Sequence, residues 1–425
     1  MSDAPTKQPN PWWVAVINGM ASYIDSCTII SSGVALVIYQ NTFGLSDWEF
    51  GALSAALTFC IAIGSLCGGM LGDRFGRKPV FSVTMIMLVL GAILMIISSN
   101  FALLLLGEIL MGLGVGADLP VSLATISETA PDEKRGKMLL FSDILWVVGI
   151  VVAQGIGSIV GDWGLPGGQI MFGQLAAVSA IVLILRQTIP ESAVWIKQNQ
   201  LRLEGHATKK DSGKLGDLFK TPYVVPFIAL MIFYIGTNVP ANSLGQFSTW
   251  IGNNVVSLPV STVSLIGLIV YPIRAILDFV FMYFVDTKAR MPLFYIGAVL
   301  YLAGFMMFPV FGASEITYIL TQLLYCIGAA FAFEGILKVW MQECFPTLLR
   351  TTANGSIVFI SRLSCAICGF FTASFITIFG YQIAFWVLSA MCFIGFLAAV
   401  LCFAKKRYNT FEADEQPEGL EMAND

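Results

Sequence analysis

The chain has 425 residues, of which 57% are hydrophobic and 12% charged, with a formal net charge of −4. A soluble globular domain carries roughly 25% charged residues, so this composition excludes an ordinary soluble fold and points to a membrane protein. No charge falls between Met291 and Ser314 or between Arg362 and Lys405. The second run is long enough for two membrane helices of about 20 residues each, and both runs are continuously apolar rather than alternating, which favours helices over a barrel.

Met1 to Asn10 is polar and lacks a signal-peptide pattern, so the first span is the expected targeting element. Twelve spans can then be placed. Six run over roughly 12–38, 47–72, 78–99, 101–130, 136–161 and 166–189. Six more run over roughly 222–246, 257–285, 289–312, 315–345, 350–378 and 382–404. The expected organisation is a six-helix bundle over 1–190, a cytoplasmic linker over 191–221, a second bundle over 222–404 and a cytoplasmic tail over 405–425. The linker is polar and holds the one histidine, His206. Nine cysteines fall in or beside apolar segments, and Cys365 and Cys368, three apart on one helix, read as packing rather than redox chemistry. No cofactor, metal or disulfide framework is expected.

Orientation follows from the basic residues. Arg74, Arg77 and Lys78 lie in the second connection, Lys134, Arg135 and Lys137 in the fourth, and Lys288 and Arg290 in the eighth. The opposite connections carry Asp47, Glu49, Asp162 and Glu315 without Lys or Arg. Both termini are therefore expected in the cytoplasm, at the plasma (inner) membrane, with an even number of spans. The chain also repeats itself. Asp73 and Arg77 recur as Asp286 and Arg290, 213 residues later; Glu128 and Arg135 recur as Glu343 and Arg350, 215 residues later. Two half-chain bundles in the same orientation are the arrangement that such a repeat implies.

Gly69 to Lys78 reads G-x-x-x-D-R-x-G-R-K and resembles the loop between helices 2 and 3 of the major facilitator superfamily. Glu128 to Gly136, Pro190 to Trp195 and Trp340 to Arg350 resemble E-x-x-P-x-x-x-R-G, P-E-S-x-x-W and W-x-x-E-x-F-P-T-x-x-R of its sugar porters and organic-ion transporters. The resemblance implies an all-α membrane protein with 12 transmembrane helices in two pseudo-symmetric halves. It also implies secondary active transport by alternating access, with no enzyme activity.

On this reading Asp73, Arg74, Arg77, Glu128, Arg135, Asp286, Arg290, Glu343 and Arg350 form a cytoplasmic latch of charge-assisted pairs between the halves. The plainer alternative is that the basic residues only set topology. Ionisable groups at membrane depth are costly and mark function. Asp25 and Asp118 lie near midplane with no partner of opposite sign on their own helices, which makes them the candidate proton carriers. Gly114 to Pro120 resembles the G-x-G-x-D-x-P of proton-coupled metabolite symporters, whereas Glu108 stands where sugar porters carry Arg. Glu108 itself reads as near enough to a helix end to reach the interface.

Arg362 is the strongest substrate clue, since guanidinium pairs bidentately with a carboxylate. It either meets an organic anion or bridges to Asp25 or Asp118. Lys338 and Arg274 add positive charge, but Arg274/Asp278 and Glu334/Lys338 are spaced i,i+4 and can neutralise each other. Asn238 and Asn242, with Gln246, make an amide stripe; Gln154 and Tyr23 complete the candidate substrate set. Trp146, Phe333 and Trp340 either stack on a solute or pack. The expected function is proton-coupled uptake of a small polar metabolite, an organic anion or sugar acid in first place and a neutral sugar or polyol in second. A drug:proton antiporter and a non-transporting sensor rank below both. The expected partners are a small-molecule solute, protons and the lipid bilayer, with no nucleic acid, and the expected state is a monomer.

Overall fold

The computed structural model describes residues 10–131, 135–191, 196, 218–285, 287–345 and 347–404. The first six helices are α1 (Pro11–Phe43), α2 (Asp47–Phe75), α3 (Arg77–Ile97), α4 (Phe101–Thr129), α5 (Arg135–Val160) and α6 (Leu165–Arg186). They are followed by α7 (Val224–Gln246), α8 (Val260–Phe284), α9 (Arg290–Phe311), α10 (Glu315–Ala332), α11 (Glu334–Cys344), α12 (Thr347–Phe379) and α13 (Tyr381–Phe403). Among the described residues, eleven helical segments are long and apolar enough to cross a bilayer, counting α10 with α11 as one; the apolar stretch of α5, Ile144–Val160, is shorter. Together they give the twelve spans of the expected fold.

The sequence sets the helix ends by ordinary capping. Asn10 accepts the Trp12 N–H ahead of Pro11 at the start of α1, and Gly44 closes that helix in the left-handed conformation. Ser46 and Glu49 form a capping box on α2, and Ser314 with Thr317 does the same on α10.

Two compact units result. The first contains residues 1–207 and 245–271, the second 208–244 and 272–425. Packing thus divides the chain differently from connectivity: the end of α7, the turns after it and the first half of α8 cluster with the first unit. Within that unit α4 packs on α2, α3 and α1, while α5 and α6 also pack on α1. The α2–α4 crossing is close because glycines meet backbone. A Cβ on Gly116 would stand 2.2 Å from the Ile61 carbonyl oxygen, and one on Gly68 would stand 2.4 Å from that of Ala117. Small residues at such spacing let membrane helices approach until their backbones touch.

In the second unit α9 packs on α10 and α13 around an aromatic core of Phe233, Phe294, Tyr301, Trp340 and Phe396. Trp340 stacks on Phe403 at 4.4 Å and is 3% exposed, so it is a core residue and not a platform for a solute. The tenth span does not continue unbroken. Phe333 leaves helical geometry (φ −128°, ψ −117°) and divides α10 from α11. Breaks of this kind in a membrane helix expose polar backbone where a site needs it.

Candidate functional site

The first unit carries a polar strip on α1. The Trp146 indole N–H, from α5, donates to the Asp25 carboxylate at 3.2 Å. The Ser26 hydroxyl donates to the Trp146 carbonyl at 2.6 Å and ties the two helices together beside it. One turn further, Gln174 of α6 donates its amide to Cys27 Sγ at 3.0 Å and to Ser31 Oγ at 3.3 Å. Tyr23 is buried on the same strip. Gln154 of α5 is 2% exposed, and its amide oxygen has no hydrogen-bond partner among the described residues.

Two acids on α4 have contrasting surroundings. Asp118 is not isolated, as its own helix suggests. Arg186, at the end of α6, grips both carboxylate oxygens, with Nη1 on Oδ1 and Nη2 on Oδ2 at 3.0 Å. Arg186 Nη2 also donates to Ser122 at 3.0 Å, and its guanidinium lies 4.5 Å from the Phe81 ring centroid. The Thr84 hydroxyl donates to Asp118 Oδ1 at 3.2 Å. The partner is sixty-eight residues away, so helical spacing could not show it. Glu108 does not reach an interface: it is fully buried, accepts the Ser32 hydroxyl on Oε1 at 2.5 Å, and leaves Oε2 without a partner among the described residues.

The second unit gathers Tyr234, Arg274, Tyr325, Phe333, Glu334 and Arg362. Tyr234 hydrogen-bonds Glu334 and lies in the field of Arg362. Arg274 pairs with Asp278 at 3.7 Å, lies 5.9 Å from the Phe333 centroid and hydrogen-bonds Tyr325. Beside them the Asn238 amide donates to the Ser361 hydroxyl at 2.9 Å, while Asn242 is half-buried one turn on. Gln246, the next amide of that stripe, turns to the first unit: it donates to the Ser54 carbonyl and accepts the Thr58 hydroxyl, both at 3.1 Å. Lys338 is exposed on α11, whereas Glu334 opens that helix.

At the clustered basic loops the symmetry of the sequence is structural. Arg77 bonds Glu128 at 2.7 Å, and Arg290 grips Glu343 with two bonds of 2.9 Å. These are the same pair repeated in each half of the sequence, and each lies inside one compact unit. Glu191 also accepts the backbone N–H groups of Arg77 and Lys78, at 2.9 and 3.1 Å, and so caps α3. The side chains of Asp73, Arg74, Arg135 and Arg350, and all of Asp286, lie outside the described residues, as do residues 197–217 of the linker and the tail.

The profile of the Major Facilitator Superfamily matches residues 12–369. The chain belongs to that superfamily. It is accordingly a membrane-embedded secondary transporter and not an enzyme. It is 32% identical over 391 residues to the minor myo-inositol transporter IolF of Bacillus subtilis (strain 168), covering 90% of this chain and 85% of that protein. It is also 24% identical to the arabinose-proton symporter of the same organism, covering 92% and 90% of the two chains. Among solved structures, the inward-open xylose transporter XylE from E. coli superposes with a TM-score of 0.78 at 19% identity, covering 95% of this chain and 99% of that one. That likeness concerns the fold.

Three participants escaped the reading of the sequence: Arg186, Ser32 and Tyr234. Arg186 had a signal, being the one charge in a helix of 22 residues. Ser32 and Tyr234 had none, because a serine or tyrosine in an apolar helix is unremarkable until its partner on another helix is known.

Proposed function

We propose that the chain imports a neutral, polyhydroxylated ring, a cyclitol or sugar, together with a proton. The observation that carries the choice of a neutral solute is the mixed-sign cluster around Tyr234. Arg362, the residue that favoured an organic anion, shares Tyr234 with the carboxylate of Glu334. A cation with an acid one side chain away offers an anion little net attraction, while the pair together offers donors and acceptors suited to hydroxyls. The unpartnered amide oxygen of Gln154 is a further acceptor for a hydroxyl donor. The name of the 32% identical relative points the same way, and the arabinose relative supports coupling to protons.

In this reading Tyr23, Asp25 and Gln154 form the substrate set of the first unit, and Asn238, Asn242, Arg274, Glu334 and Arg362 form that of the second. Lys338, exposed on α11, serves orientation rather than recognition. Both termini are placed in the cytoplasm of the plasma (inner) membrane, with lipid around a monomer. The Arg77–Glu128 and Arg290–Glu343 pairs act as cytoplasmic clamps that make the inner end of each unit a rigid body during alternating access. A latch between halves then needs the charges around them.

The test is counterflow of labelled myo-inositol in proteoliposomes holding the purified full-length protein, with unlabelled glucose, xylose and glucuronate as competitors. Competition by the neutral rings and none by glucuronate is the expected result. Stronger competition by glucuronate returns Arg362 to an anion site and overturns the neutral reading.

A further inference from the structure

Glu108 is a fully buried acid that the sugar-recognition sets do not use. Its carboxylate receives one hydrogen bond, from Ser32, and its second oxygen has none among the described residues. An ionised carboxylate without a cation or a full set of donors is strongly disfavoured away from water. A proton on Oε2 removes that penalty.

Among the described residues, the groups around Glu108 supply no positive charge. On α1 the neighbour besides Ser32 is Tyr39, whose hydroxyl donates to the Met95 carbonyl, and on α2 it is Cys60. The acids of α2, Asp47 and Glu49, lie on its first turn, with Asp73 and Arg74 at its far end. On α3 the charges are Arg77 and Lys78 at the opposite end, and on α5 they are Arg135, Lys137 and Asp143 in its opening turns. Asp118, about 15 Å along α4, is already gripped by Arg186.

Ser32 also occupies a sensitive place. Its neighbour Gly33 approaches the end of α7 so closely that a Cβ there would stand 2.4 Å from the Gln246 carbonyl oxygen. Gln246 in turn is fixed by Ser54 and Thr58 of α2. The partner of Glu108 is therefore one residue from the contact by which the chain after α7 packs into the first unit. A change at the Glu108–Ser32 bond is felt at that contact.

We infer that Glu108 is the acid that takes up and releases the coupled proton, with Ser32 as the residue that passes its protonation state to the α1–α7 contact. The step is a plain proton transfer: water on one side of the membrane delivers a proton to Oε2, and the same bond breaks when the group meets water on the other side. The inference rests on the proton-coupled reading above, but not on the identity of the solute.

The test is infrared difference spectroscopy of the reconstituted full-length protein between acid and alkaline pH, with no solute present. The wild type should show a protonated-carboxyl band that appears with falling pH. Glu108→Gln should lose that band, Asp25→Asn should keep it, and Ser32→Ala should change its frequency by removing the one hydrogen bond. Persistence of the band in Glu108→Gln, or its absence from the wild type, overturns the inference. In parallel, Glu108→Gln should retain myo-inositol counterflow, which also reports a folded protein, and lose accumulation driven by a pH gradient. A wild type that fails to exchange myo-inositol overturns the solute reading alone and leaves the spectroscopic result standing.

Discussion

Asp118 and Glu108 lie on the same helix, both essentially inaccessible to water, yet their surroundings are opposite. Asp118 meets a guanidinium on both oxygens and a threonine hydroxyl besides, and Arg186 is further held by Ser122 and Phe81. Among the described residues Glu108 meets a single serine. A carboxylate whose charge is matched in place has no reason to exchange protons, whereas one whose charge is unmatched has every reason to. Burial alone does not make a proton carrier; burial without a partner does.

The comparison breaks most visibly at Arg186. Arg186→Leu leaves Asp118 buried without its cation, and removing one member of a buried pair costs about 3–5 kcal/mol. Thermal unfolding of the detergent-purified variant should show that loss. Replacing both Asp118 and Arg186 by leucine should recover most of it, since an apolar pair of similar volume is often neutral in such a place. If the double variant is as unstable as the single one, the two side chains act separately and the pair is not what holds α4 to α6.

The neutral isosteres sharpen the contrast. Asp118→Asn keeps the shape but withdraws the charge from Arg186, and a hydrogen bond to a charged group is worth about 1.5–3 kcal/mol. Glu108→Gln keeps the oxygen that Ser32 reaches and replaces a carboxyl that has no cation, so its stability should change by about 1 kcal/mol or less. Equal losses in the two variants would erase the distinction between them.

What the sequence revealed follows from where its signals are local. The spans are legible because hydrophobic length is a property of consecutive residues. The two halves are legible because Asp73, Arg77, Glu128 and Arg135 recur at half-chain distance. The pairing of those charges was not legible, because the repeat gives positions and not partners: Arg77 reaches Glu128 of α4, which lies 51 residues further along the chain. The same limit hid the surroundings of the α4 acids. Helical spacing showed Asp118 without a cation and Glu108 near a helix end, but Arg186 arrives from another helix and the end of α4 at Glu108 is covered by α1 and α2. Arg362 was read as an anion site for a related reason, as Tyr234 and Glu334 join it only when α7 and α11 come together.

A smaller effect is expected at the repeated clamps. Double-mutant cycles on Arg77/Glu128 and on Arg290/Glu343, with alanine at each position, should both give stabilising coupling of about 1–3 kcal/mol, within the range for charged hydrogen bonds. Similar coupling in both halves identifies the pairs as one device used twice. Coupling in one half alone would mean that the repeat preserves only the positive charge that sets orientation.

The smallest expected change separates the third buried acid, Asp25, from the other two. It accepts a hydrogen bond from the indole of Trp146, a neutral donor held against α1 by the Ser26 hydroxyl. Trp146→Phe keeps an aromatic ring between α1 and α5 and removes only the N–H, so the loss should be about 1 kcal/mol. The consequence for transport is specific: Asp25 loses the group that orients it among the substrate-facing side chains, and half-saturation for myo-inositol should rise several-fold while the pH dependence of accumulation stays that of the wild type. A changed pH dependence with unchanged affinity would move Asp25 from recognition to coupling and set it beside Glu108 as a second proton site.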